Sequence, residues 1–243
     1  MFVDALQWTI RLYGCVQLAY WIPSLLCLAL DYSEMCLQQK LQPMPWSRMR
    51  HIYRACVSRV ALNIGVWSFV FIYAGVLCYD FAPRASFHAF HPIPELAKLL
   101  VSMLFLVDVL FALLHRLFHL HIFYRWHAKH HELSAPVAMA AAYASVPDFL
   151  FTNTLPLMLP VIALRMHWWT TLAWLMLALT STTINAHGGW RGLGDMHDLH
   201  HRWPSVNYGV TGLTDRLLLG TYAKRLPRKQ VGQLAVHVRQ RKE

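Results

Sequence analysis

The chain has 243 residues, of which 56% are hydrophobic and only 14% charged, with a formal net charge of +10. That apolar share exceeds the roughly 45–50% usual for soluble domains and argues against a water-soluble globule. A basic excess suits nucleic acid, anionic lipid or an acidic protein, but no nucleic-acid-binding motif accompanies it. The cysteines, Cys15, Cys27, Cys36, Cys56 and Cys78, include no Cys-x-x-Cys pair and indicate neither a disulfide framework nor a thiolate zinc site.

In chain order, the opening "MFVDALQWTIRLYGCVQLAYWIPSLLCLALDY" is apolar but lacks a basic leader and a small-residue cleavage site. Interrupted by Arg11 and Gln17, it reads as a retained membrane anchor and not as a removed signal peptide. Residues 60–79 carry no charge and are long enough to cross a hydrocarbon core of about 30 Å. Residues 96–114 form another expected span, with Pro94 and Glu95 suited to a first helical turn. A third occupies 168–186. Residues 149–164 are shorter and carry Pro156 and Pro160, which leaves a kinked span and half of a re-entrant hairpin both open. The expected fold is an all-α integral membrane protein, with about four to five transmembrane or re-entrant helices and a cytoplasmic histidine-rich cap.

Charge placement sets the orientation. Residues 32–59 carry Lys40, Arg48, Arg50, Arg54 and Arg59, and the chain after His187 carries ten Lys or Arg. The loop 80–95 has only Arg84, and the turn 165–167 only Arg165. The positive-inside rule then puts the N-terminus outside and the C-terminus in the cytoplasm. The "KRLPRK" tail is expected to face anionic lipid headgroups.

Residues 115–131, "HRLFHLHIFYRWHAKHH", hold six histidines, and "HDLHH" follows at 197–201. On a helix His115 and His119 share one face, and His127, His130 and His131 fall at i, i+3 and i+4. His197, His200 and His201 repeat that pattern, and His187 stands between in "NAHGGW". These spacings let two or three imidazoles converge on one cation, and nine histidines exceed what one tetrahedral metal needs. Two metals sharing the set is the economical inference. Imidazole suits zinc, iron and copper without singling one out. His51, His88, His91, His167 and His237 are isolated, and His121 is turned away from the His119 face. Asp108 lies within a span, where an ionisable group is costly and usually functional. Seven residues before His115, it is expected to accept the second N–H of a ligating imidazole.

The order His-x3-His, His-x2-His-His, a lone His before Gly, then His-x2-His-His resembles the fatty acid hydroxylase and sterol desaturase superfamily. The likeness runs from about Asp108 to Tyr222 and includes "HHELSAPVAMAAAYASVPDF" and "HDLHHRWPSVNYGVTGLTDRLLLGTY". Glu132, Ala135 and Pro136 look most like the sterol 4-methyl oxidase branch and its fatty acid hydroxylase domain-containing relatives. Two departures stand out: Ser145 replaces a common family histidine, and the link from His187 to His197 is short.

The resemblance implies a membrane oxidoreductase with a cytoplasm-facing di-iron centre. Its ligands would be His115, His119, His127, His130, His131, His187, His197, His200 and His201, with zinc an alternative occupant in purified protein. It implies O2 as co-substrate and a bilayer lipid (sterol, fatty acyl or sphingoid) as substrate. Two electrons would come from a donor such as cytochrome b5 and its reductase, or from a ferredoxin system. The implied location is the endoplasmic reticulum in a eukaryote or the inner membrane in a bacterium. Residues 1–94 would be anchor helices and a basic loop, 95–222 the hydroxylase domain and 223–243 a basic tail. A non-catalytic metal-binding homologue is an alternative. A metal or proton transporter is disfavoured, because its ligands belong near mid-membrane between repeats.

Overall fold

The computed structural model describes residues 2–78, 90–135 and 137–224. Arg84, His88, Pro136, His237 and all of the "KRLPRK" tail after Lys224 lie outside the described residues. Within them the chain is helical, with one isolated antiparallel bridge between Lys40 and Trp190.

Helix α1 covers Phe2–Ser33. Its Leu12, Val16, Ala19 and Tyr20 are buried, whereas Ile10, Leu18, Ile22, Leu25 and Leu26 are exposed. A helix apolar all round, with one face in the core, presents its other face to lipid. Helix α2 (Trp46–Val60) continues through a π-helical turn, Ala61–Trp67, into α3 (Ser68–Cys78). The basic stretch expected as a loop over 32–59 is therefore largely helix, and exposed Arg48, Arg50 and Arg54 lie on its outer face.

Helix α4 (Pro92–Val101) runs through the turn Ser102–Leu106 into α5 (Val107–Phe118). Leu120 then adopts extended backbone, and α6 (His121–His127) leaves at 104° to α5. Residues left open between span and hairpin form one continuous helix: α7 (Val146–Asp148), the π turn Phe149–Thr154 and α8 (Leu155–Ala163). Helix α9 (Trp168–Ser181) ends in the π turn Thr182–Ala186, and α10 covers Asp195–Arg202.

Among the described residues three helices are long and apolar enough to cross a membrane: Asp4–Ser33, Trp46–Cys78 and Val146–Ala163. The bent pair α5–α6 makes a fourth if it is one span. The expected segment 168–186 is helical throughout, and its tryptophans and threonines temper its hydropathy. Helices α1, α3 and α9 pack around Leu12, Val16, Ile72, Trp174 and Leu175. The bend after α5 and the ends of α9 and α10 meet at one end of this bundle, where the histidines lie.

Candidate metal centre

All nine predicted histidines converge. His115, His119, His127, His131 and His200 form one group, and His130, His187, His197 and His201 a second, each with its ligand nitrogens within 4.8 Å of one another. The groups adjoin: the His131 and His201 rings lie 4.8 Å apart and those of His115 and His197 6.3 Å. His121 is exposed and outside both.

Each His-x2-His-His box divides between the groups instead of converging on one point. His127 and His131, at i and i+4, join the first group while His130 joins the second. In α10 the pair His197 and His201 joins the second group while His200 joins the first. In α10, positions i and i+4 are about 40° apart around the helix, whereas adjacent i+3 and i+4 are about 100° apart. In the first box α6 ends at His127, and a 3-10 turn, His130–Glu132, turns His130 and His131 apart. A single box thus reaches two neighbouring points and holds them side by side.

The hydrogen bonds fix which nitrogen is free. His115 Nδ1 lies 2.8 Å from the Tyr208 carbonyl, His200 Nδ1 2.6 Å from Val206 and His187 Nδ1 2.9 Å from Thr182. His130 Nδ1 lies 3.3 Å from the Tyr143 carbonyl. A carbonyl only accepts, so Nδ1 carries the proton and Nε2 presents a bare lone pair. The π turn before His187 leaves the Thr182 carbonyl to the imidazole five residues on.

Those Nε2 atoms face one another. In the first group the separations are 3.0 Å for His115–His127, 3.0 Å for His127–His131, 3.1 Å for His119–His200 and 3.1 Å for His131–His200. In the second, His187–His197 is 3.1 Å and His197–His201 3.0 Å. Lone pairs at this distance repel unless a cation lies between them. With metal–nitrogen bonds of about 2.1 Å, ligands at right angles stand about 3 Å apart. The donor set therefore fits a metal in each group, and all-imidazole ligation without thiolate suits iron, zinc or copper.

Burial keeps the ligands neutral. Burial first, then neighbouring imidazoles, pushes His187 down to about 3 and holds His197, His200 and His201 well below the usual histidine range. Neutral imidazole is the form that binds metal.

The expected carboxylate support exists, but on another residue. Asp148 places both carboxylate oxygens 3.0 Å from His127 Nδ1 and accepts from Thr152 Oγ1 at 2.6 Å. Asp108, assigned this role from its helical spacing, instead accepts the Thr211 amide at 2.5 Å and the Thr214 amide at 2.8 Å. Asp215 accepts the Tyr208 and Gly209 amides at 2.8 and 2.7 Å. Together the two aspartates shape the turn that delivers the Tyr208 carbonyl to His115. A Cβ at Gly209 would lie 2.9 Å from Asp108 Oδ1 and 3.0 Å from Asp215 Oδ2, so the turn closes only around glycine. Sequence reasoning missed Asp148; its signal was an acid at the mouth of the apolar run "FLFTNTLPLMLP". Ser145 caps α7 by accepting the Asp148 amide at 3.4 Å.

A cavity of about 390 Å³ opens onto both groups through His115, His127, His130, His187 and His197. Its remaining wall is mostly apolar, including Ile72, Val107, Phe111, Phe149, Trp174 and Leu175, and no Asp, Glu, Lys or Arg lines it among the described residues.

The family model for fatty acid hydroxylase matches residues 100–221. Over 115 residues the chain is 36% identical to fatty acid hydroxylase domain-containing protein 2 of Homo sapiens, covering 45% of this chain and 34% of that protein. It is 28% identical over 177 residues to fatty acid hydroxylase ahd1 of Mycosarcoma maydis, covering 68% of this chain and 44% of the relative. Over 143 residues it is 32% identical to C-4 methylsterol oxidase erg25 of Schizosaccharomyces pombe, covering 51% and 47% respectively. The chain thus spans between a third and a half of the length of these relatives. No solved structure matches.

Proposed function

The chain belongs to the fatty acid hydroxylase family, and from that premise we propose that it is a membrane di-iron oxygenase acting on a lipid. The observation that carries this reading is the pair of adjoining imidazole groups facing one apolar cavity. His115, His119, His127, His131 and His200 would hold one iron, and His130, His187, His197 and His201 the other. When bound, such a centre supplies the O2 chemistry that no side chain has, using two electrons from outside the chain.

The protein's own part is to hold, orient and exclude. The Tyr208, Val206, Thr182 and Tyr143 carbonyls and the Asp148 carboxylate keep Nδ1 of His115, His200, His187, His130 and His127 protonated, which leaves Nε2 of these five as the ligand atom. The cavity's volume lies within the several hundred Å³ typical of small-molecule sites, and its uncharged wall suits an alkyl or ring body. A lipid body seated there would displace water from the histidines, which protects a reactive centre from side reactions.

A sterol bearing methyl groups is the favoured substrate, on the "HHELSAP" neighbourhood and the likeness to a C-4 methylsterol oxidase. Fatty acyl or sphingoid hydroxylation is the second reading, favoured by the likeness to ahd1 over 68% of this chain. Residues 95–222 would form the catalytic domain, on anchor helices within 1–94. Basic residues Lys40, Arg48, Arg50, Arg54 and Arg59 argue for a cytoplasmic site, in the endoplasmic reticulum of a eukaryote or the inner membrane of a bacterium. The exposed Arg48, Arg50 and Arg54 among them suit an acidic electron donor of the cytochrome b5 type.

Lipid profiling of cells with and without the chain, supplied with a matched reductase, tests the substrate. Accumulation of 4-methyl sterols on deletion is the expected result. Unchanged sterols with altered hydroxylated sphingolipids select the second reading, and no lipid change with a metal-loaded protein rejects the oxygenase assignment.

A further inference from the structure

We infer that residues 39–42, which precede the family-matched region, complete the four-histidine group, with Lys40 as the residue that positions His187. The inference rests on the metal-binding reading of that group.

Lys40 is buried, 7% exposed, in the turn between α1 and α2. Its ammonium lies 2.7 Å from Asp31 Oδ1, donates to the Gly188 carbonyl at 2.6 Å and sits 3.8 Å above the Trp190 ring. Asp31 in turn accepts from the Tyr53 hydroxyl at 2.7 Å. Backbone bonds reinforce the join: the Leu41 amide donates to Gly189 at 2.8 Å and the Arg191 amide to Gln39 at 2.9 Å. Arg191 Nε also donates to the Lys40 carbonyl at 3.0 Å. The loop following His187 is thus bound to the N-terminal segment along its length.

Gln42 extends the contact to the other histidine-bearing segments. Its Nε2 lies 2.7 Å from Asp198 Oδ1, beside His197, and 3.0 Å from the Ser134 carbonyl, just after the His130–His131 turn. Gly188 and Asp198 directly follow ligands of the second group, His187 and His197, whereas Ser134 follows the turn that carries one ligand of each group, His130 and His131. Within the first group, His115, His119 and His127 have no such contact with residues 39–42 among the bonds described. A charge at Lys40 also needs this geometry, because a buried cation is tolerated only when paired and hydrogen-bonded. The N-terminal region is therefore part of the centre's scaffold as well as an anchor.

The test uses the full chain, extracted in detergent and loaded with Fe2+ or Co2+. Metal per chain, release rate to a chelator, and hydrogen exchange at the 187–191 amides are measured for Lys40→Met and for Asp31→Asn/Lys40→Met. The double variant leaves no lone buried charge. Expected are wild-type binding of two ions, selective loss or about ten- to a hundredfold faster release of one ion in both variants, and faster exchange at 187–191. His201→Ala should lose the same ion, and His119→Ala the other. Two ions released at wild-type rates from both variants would overturn the inference. Fewer than two ions on the wild-type chain would instead overturn the two-metal reading on which it rests. If both variants fail to insert, Gln42→Leu, which keeps the ion pair, reads the contact at Asp198: faster release of the second ion supports the inference and an unchanged rate overturns it.

Discussion

Asp148 faces His127 with both carboxylate oxygens 3.0 Å from Nδ1, and Thr152 Oγ1 secures the carboxylate from the side of the cavity at 2.6 Å. A carboxylate on the far nitrogen makes the imidazole a better electron donor and holds its ring in place. Asp148→Asn keeps the shape and loses the charge. Metal affinity at the five-histidine group should fall by about ten- to a hundredfold, measured by chelator competition. Affinity equal to wild type would count against the pairing as a functional contact.

His130 and His200 are the members of each box that cross to the other group. Replacing either with alanine should abolish turnover and release metal from one group, while membrane insertion continues. Insertion depends on apolar helices with satisfied backbones, which neither change touches. Metal analysis paired with turnover checks this, and full activity with either ligand missing would reject the ligand set.

Asp108 is fully buried and satisfies the amides of Thr211 and Thr214. Asp108→Ala leaves both without a partner at the turn that supports His115, at a cost of about 2–4 kcal/mol for two orphaned donors. Thermal unfolding in detergent should show that loss, and metal binding at the first group should weaken with it. An unchanged unfolding temperature would mean that water replaces the carboxylate.

Ala178 lines the cavity from α9. Ala178→Trp should fill it and reduce turnover of bulky lipids by about tenfold or more, by the steric logic of apolar pockets. Metal content should stay at the wild-type level. Equal turnover of large and small lipids by the variant would place substrate elsewhere.

Metal-free protein should be acid-sensitive. Burial holds His187 at about 3 in the folded chain, below its ordinary value of 6.5. An unfolded chain then binds more protons below about pH 6.5, so folding stability is full above that value and declines toward pH 3. Denaturant titrations of the chelated protein across this window check the sign. Stability that rises on acidification would contradict the neutral, buried state of these rings.

Some of the centre was legible as spacing. The pairs His115–His119, His127–His131 and His197–His201 lie at i, i+4, and helical geometry alone puts both members of each on one side. The same rule misled at Asp108, since a shared helical face does not say what stands opposite it. Thr211 and Thr214 occupy that position, more than a hundred residues later in the chain. Asp148 could be suspected as an acid before an apolar run, but its partner His127 is fixed only by the folding of α7 against α6.

Composition and periodicity by themselves determined an apolar, helical chain with eight histidines at metal-binding spacings and the lone His187 between them, because helix period and hydropathy are local properties of consecutive residues. Tertiary structure alone decided how those histidines divide into groups of five and four, which carbonyls fix their tautomers, and that Lys40 reaches Gly188. Each of those depends on where distant segments meet. The 104° bend at Leu120, the π turn before His187 and the closing of the 207–215 turn around Asp108 and Asp215 set those meetings through packing and long-range hydrogen bonds.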